Sequence, residues 1–117
     1  LTVCLVAAGV VAKGLLGNAR VEARLIEAGG IADIDEAIRR AQEAGDSIGG
    51  LVECHVAGLP VGLGEPFFDS LESLIAHAVF SIPAIKGIEF GAGFSAARMT
   101  GSEHNDAFIM KAGRVGT

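Results

Sequence analysis

Residues 33–57 read DIDEAIRRAQEAGDSIGGLVECHVA, and a change of period inside this stretch shows that helices alternate with strands. Its first part carries Ile34, Ala37, Ile38 and Ala41 at i, i+3, i+4 and i+7, a single apolar stripe along a helix. Asp33 is placed to cap the first turn, Glu36 stands three residues on in capping-box register, and Gly45 supplies a left-handed stop. Beyond Gly49-Gly50 the period drops to two. Val52, Cys54 and Val56 face one way and Glu53 and His55 the other, which predicts a strand over 51–57.

Working outward, Val21 to Ala28 sets Val21, Ala23 and Leu25 against Glu22 and Arg24, a second half-exposed strand. Leu1 to Leu16 (LTVCLVAAGVVAKGLL) is apolar on nearly every side and predicts a helix buried within a layer, stopped by Gly17 and Asn18. Downstream, Leu59 to Pro66 is loop. Asp69 and Glu72 repeat the capping pattern for a third helix, striped by Leu71, Leu74, Ile75, Ala78 and Ile82 and ended by Pro83. A short strand is expected over Ile85 to Phe90, then a small-residue segment, Gly91 to Gly101. The tail from Ser102 to Thr117 is mixed, with an apolar trio at Phe108 to Met110. The order helix, strand, helix, strand, helix, strand suits either a parallel α/β unit or an α+β sandwich, and period alone does not choose.

Composition narrows the function classes. The chain has 117 residues, enough for one domain or a piece of a larger one, and half of them are hydrophobic. Seventeen glycines with no Trp or Tyr suggest closely approaching backbones and tight turns in place of an aromatic core. A net charge of −5, with Arg39-Arg40 the one adjacent basic pair, sets nucleic acid aside. Cys4 and Cys54 stand far apart with no ligand-spaced partner, which predicts two buried thiols in a reducing cytosol. No run approaches the roughly 18 apolar residues of a membrane span. The apolar opening lacks a basic leader and an initiating Met, so the chain is expected to begin inside a longer protein.

Candidate chemistry is sparse when read from residue types alone. Gly49-Gly50, Gly62-Leu63-Gly64 and Gly91-Ala92-Gly93 invite a phosphate-loop reading. The last supplies a G-x-G after a strand but has no third glycine at the fingerprint spacing and no acidic residue about 20 residues on. There is no Lys-Ser/Thr pair for a P-loop, so the clusters are read as turn glycines. His55 shares a strand face with Glu53 and is placed to pair with it. His77 lies on the flank of the third helix. His104 sits in a run of five polar residues, Ser102 to Asp106, of a kind that caps helices, bridges subunits or lines pockets. Lys86 and Arg98 could contact a phosphate or carboxylate, or be ordinary solvated charges.

Four motifs in order, DSIGG (46–50), GLGEPFFD (62–69), SIPAIKG (81–87) and GSEHND (101–106), make the stretch from Gly45 to Asp106 resemble chorismate synthase. The flanks are also similar to that family, LTVCLVAAGVVAKGLL to its Ala-rich helix and VEARLIEAGGI to the strand after it. The resemblance implies a cytoplasmic lyase of the shikimate pathway, in aromatic amino-acid biosynthesis. Such an enzyme eliminates phosphate from 5-enolpyruvylshikimate 3-phosphate to give chorismate with reduced FMN. It implies an α+β sandwich of helices between antiparallel sheets, assembled as a homotetramer. Residues 1–117 would be a single partial domain, truncated at both ends and inactive alone.

The family's Gly-Glu-Ser-His-Gly motif has no counterpart here. The resemblance places a second catalytic histidine and an Arg-Ser-Ser flavin motif before Leu1, and a glycine-rich loop with Lys-Pro-Thr after Thr117. No catalytic residue is therefore carried over, and no metal is implied. What carries over is a flavin contact at Pro83 and Ala84 in SIPAIKG, with Lys86 and the GSEHND loop beside it. Several relatives have an amide side chain where this chain has Pro83, and proline offers no donor. His104 does not match a catalytic histidine of the family. The competing reading is a non-catalytic scaffold or anion-binding paralogue of the same fold.

Overall fold

A computed structural model describes residues 2–111 and 114–116. The chain divides into two compact units, Leu1–Leu63 and Gly64–Thr117. The first unit contains helix α1 (Thr2–Leu15), strand β1 (Arg20–Ala28), helix α2 (Ile34–Ala44) and strand β2 (Gly50–Ala57). The second holds helix α3 (Leu71–Phe80), the short helix α4 (Gly101–His104), and the strand pair β3 (Ile109–Lys111) and β4 (Arg114–Gly116). Two 3₁₀ turns, Phe67–Asp69 and Gly93–Arg98, lie between these elements.

In the first unit β1 and β2 pair antiparallel, which excludes a parallel unit for this pair and leaves an α+β arrangement. The register sets Glu22 opposite His55 and Arg24 opposite Glu53, while Val21, Ala23 and Leu25 meet Val56, Cys54 and Val52. Polar and apolar residues thus sort onto opposite faces, as the alternation predicts. A bulge between Leu25 and Glu27 breaks the register near the end of β1. Helix α2 packs against β1, and among the described residues the two buried ones are Ala28 on β1 and Ala37 on α2. The sequence-derived signals for α2 hold: Asp33 accepts the Glu36 N–H at 3.1 Å, and Gly45 ends the helix at φ 65°. The reciprocal half of the capping box is replaced, because the Glu36 carboxylate binds Arg39 and Arg40.

Four expectations are corrected. Helix α1 forms but is exposed at every described position, because the described residues of its unit leave it uncovered. Cys4 and Cys54 are exposed for the same reason, one on α1 and the other on the uncovered apolar face of β2. Helix α3 is capped one residue later than expected. Ser70 accepts the Ser73 N–H at 3.3 Å, while Asp69 closes the preceding 3₁₀ turn by accepting the Glu65 N–H through its carbonyl at 2.8 Å. Residues 85–90 form no strand, since no described segment pairs with them and an unpaired strand leaves its backbone groups without a ladder. The second unit's strands lie instead in the tail, where Ile109 and Met110 of the apolar trio enter β3. Among the described residues, no helix is long and apolar enough to cross a membrane.

Candidate functional site

The SIPAIKG segment begins where α3 runs out of helix-forming options. Ser81 donates its N–H to the Ala78 carbonyl at 3.2 Å, and its hydroxyl donates to the same oxygen at 2.6 Å. Ile82 N–H reaches Val79 O at 3.0 Å, so the last turn tightens to i→i+3 bonding before Pro83, which has no N–H to continue it. Ile82 and Ile85 are then joined by a long bond of 3.4 Å across Pro83 and Ala84. Ala84 has φ 72°. Proline second and a positive φ third is the arrangement of a type II turn, whose third position normally belongs to Gly or Asn. Holding alanine there costs about 1 kcal/mol, and such strain gathers where backbone serves a ligand or a switch.

Pro83, Ala84 and Lys86 are all exposed on this one turn. Lys86 makes no ion pair among the described residues, so its ammonium is available to an anion. Arg98, at the end of the 3₁₀ turn Gly93–Arg98, is likewise exposed and without an ion pair among the described residues.

The GSEHND segment turns out to serve local structure at its acidic member. Glu103 accepts from the Thr100 N–H at 2.7 Å and from the Thr100 hydroxyl at 2.8 Å, closing a capping box over α4. Those two bonds, the backbone one first, hold its carboxyl below the ordinary value. His104 ends α4 and is exposed, as is His77 on α3. No hydrogen bond or ion pair among the described residues links Ser102–Asp106 to Pro83, Ala84 or Lys86.

On the polar face of β1–β2 the expected pair is present: His55 Nε2 lies 2.9 Å from Glu53 Oε2. Sequence spacing missed the stronger partner, Arg24, which meets the same oxygen through Nε at 2.8 Å and Nη2 at 2.6 Å. Cross-strand alternation carried that signal, but only once the register was known. A shallow, open depression lies here, lined by Glu22, Ala23, Arg24 and His55. With Arg24 committed to Glu53, it presents no free cation to an anionic ligand.

Arg24, then His55, holds the Glu53 carboxyl below the ordinary value of 4.5. Arg39, then Arg40, does the same for Glu36. A depressed carboxylate contributes stability above its unfolded value and loses it as pH falls through its folded value. Carboxyl titration by NMR is therefore expected to place Glu53 and Glu36 below 4.5. Arg24→Ala is expected to raise the Glu53 midpoint and leave Glu36 alone. A Glu53 midpoint indifferent to Arg24 would remove the pair from any acid-stability account.

The family model for chorismate synthase matches residues 19–116. The chain belongs to the chorismate synthase family. It is 63% identical over 118 residues to chorismate synthase of Chitinophaga pinensis, in a match covering 100% of this chain and 36% of that relative. Chorismate synthase of Methylacidiphilum infernorum is 59% identical over 80 residues, 68% of this chain and 22% of the relative. That of Korarchaeum cryptofilum is 58% identical over 79 residues, again 68% and 22%. The chain thus spans about a third or less of the length of these chorismate synthases. The chorismate synthase match takes in β1–β2, the SIPAIKG turn and GSEHND together, and α1 lies within the match to the Chitinophaga relative.

Proposed function

We propose that this segment serves an intact chorismate synthase, contributing one wall of the site where reduced FMN meets 5-enolpyruvylshikimate 3-phosphate. Family membership supports the reaction, and the turn at Pro83-Ala84 carries the placement. When bound, reduced FMN would lend electron density to the departure of phosphate and recover it, with no net redox change.

The residues present fit such a group. Ala84 adds only a methyl to an exposed turn, so a flat ring could approach the backbone closely. Lys86, two residues on and without an ion pair among the described residues, offers a charge-assisted donor to a phosphate or carboxylate. Pro83 contributes shape and a fixed φ but no hydrogen bond. These residues bind and orient; none of them is assigned a proton transfer. The uncovered apolar faces of α1 and of β1–β2 suit a piece of one larger domain, a cytoplasmic helix-and-sheet sandwich assembled as a homotetramer.

The deciding experiment uses a full-length family chain carrying residues 1–117 as its matching segment. Lys86→Ala is expected to weaken binding of FMN or of the anionic substrate by about tenfold or more, the usual effect of losing a hydrogen bond to a charged group. Unchanged affinity for both would overturn the assignment. In the same chain His104→Ala is expected to keep substantial turnover, since His104 is an exposed residue at the end of α4. Near-total loss with normal folding would make His104 part of the chemistry.

A further inference from the structure

The flavin-facing turn depends on an unfavourable backbone, and something must hold it. Ala84 at φ 72° is not a conformation that alanine adopts unaided. The Ile82–Ile85 bond that closes the turn is long at 3.4 Å and cannot be its main support. Upstream, the contacts are shorter. Ser81 meets the Ala78 carbonyl twice, through its hydroxyl at 2.6 Å and its N–H at 3.2 Å, and Ile82 N–H meets Val79 O at 3.0 Å. These bonds set the direction in which the chain leaves α3, one residue ahead of Pro83. Proline then fixes its own φ, which removes one of the rotations between the end of α3 and Ala84.

We propose that Ser81 is a positioning residue for this turn, acting through the α3 end to present the Ala84 backbone in its left-handed conformation to the flavin. The inference rests on the flavin reading of Pro83, Ala84 and Lys86. Ser81 touches no reacting atom; its hydroxyl, bound back to Ala78, preorganises the surface that does.

The test uses the same full-length chain, first without flavin. Ser81→Ala is expected to speed amide hydrogen exchange at Ile82 and Ile85 while leaving exchange in β1–β2 unchanged. With FMN added, its dissociation constant is expected to rise about threefold to tenfold, the effect of one lost hydrogen bond. Ser81→Thr, whose hydroxyl can make the same backward bond, is expected to restore both readouts. Ala84→Val should lose FMN affinity, because a β-branched residue does not accept the positive φ.

The outcomes separate the two claims. Unchanged FMN affinity in Ala84→Val would overturn the flavin reading, and the role of Ser81 with it. Loss in Ala84→Val with Ser81→Ala unaffected in exchange or in FMN affinity would overturn the positioning role alone. Failure of Ser81→Thr to restore the exchange rates would overturn it as well.

Discussion

Given reduced FMN and 5-enolpyruvylshikimate 3-phosphate, the 117-residue chain by itself is expected to release no chorismate above the uncatalysed background, and to hold flavin only weakly. A site that orients a cofactor against a substrate has to surround both, and ligand pockets commonly cover most of a ligand's surface. The described residues offer a single exposed turn at Pro83, Ala84 and Lys86, and a shallow depression over β1–β2 whose arginine is already paired. Among the described residues the buried side chains are two alanines, Ala28 and Ala37, so little packed mass stands behind either surface. The matched chorismate synthase of Chitinophaga pinensis has 64% of its length outside the aligned region, on the 36% that is covered. Chorismate formation followed by chromatography and flavin retention by equilibrium dialysis would check the expectation. Sustained turnover by the isolated chain would place a complete active site within these residues and overturn the shared-wall reading.

Local structure was legible in the sequence where its causes are local. Helix α2 could be read from its stripe and its two caps, because Asp33, Glu36 and Gly45 act within a few residues of one another. The cap of α3 was misplaced by one residue because two good capping residues, Asp69 and Ser70, stand side by side. What separates them is the 3₁₀ turn Phe67–Asp69 with its reversed Phe67, φ 69°, and nothing in the composition of PFFDS announces that reversal. The same limit hid Ala84. Alanine rarely takes a positive φ, so its turn geometry emerges only from the way α3 ends.

Longer-range features were legible only in part. Alternation in 21–28 and 51–57 identified both strands and the Glu53–His55 face, but strand direction and the Arg24–Glu53 pair depend on which residues meet across the sheet. Residues 85–90 have the makings of a strand without a partner to form one. Apolar character in α1 says that Val3, Val6 and Val10 favour burial; it does not say what covers them, and they are exposed here. For the candidate site, the resemblance pointed to SIPAIKG, whereas the bonds from Ser81 back to Ala78 emerge only in three dimensions.

Gly58→Ala is expected to be the most damaging single-methyl change in the first unit, costing about 2–4 kcal/mol. Gly58 follows β2 directly and has φ 77°, so any L side chain there meets the left-handed penalty, about 1–2 kcal/mol for alanine. A second cost comes from space. A Cβ at this position would lie 2.6 Å from the backbone oxygen of Asn18 and 3.3 Å from its carbonyl carbon. Neither is a side-chain end that can swing away; both belong to the peptide leading into β1. Relief requires moving that peptide, and the first ladder pair, Arg20 with Ala57, lies immediately beside it.

The loss of chain entropy in the unfolded state offsets only about 0.4–1 kcal/mol. Gly62→Ala is the internal control: its φ is 86°, but nothing lies within 4 Å of the added Cβ. It therefore meets the backbone penalty alone and is expected to cost about 1 kcal/mol. Urea unfolding of both variants in a full-length family chain carrying this segment would separate strain from collision. Unequal shifts, with Gly58→Ala the larger, would place the difference in the Asn18 peptide; equal shifts would show that the β1–β2 junction yields freely and that the contact with Asn18 carries no cost.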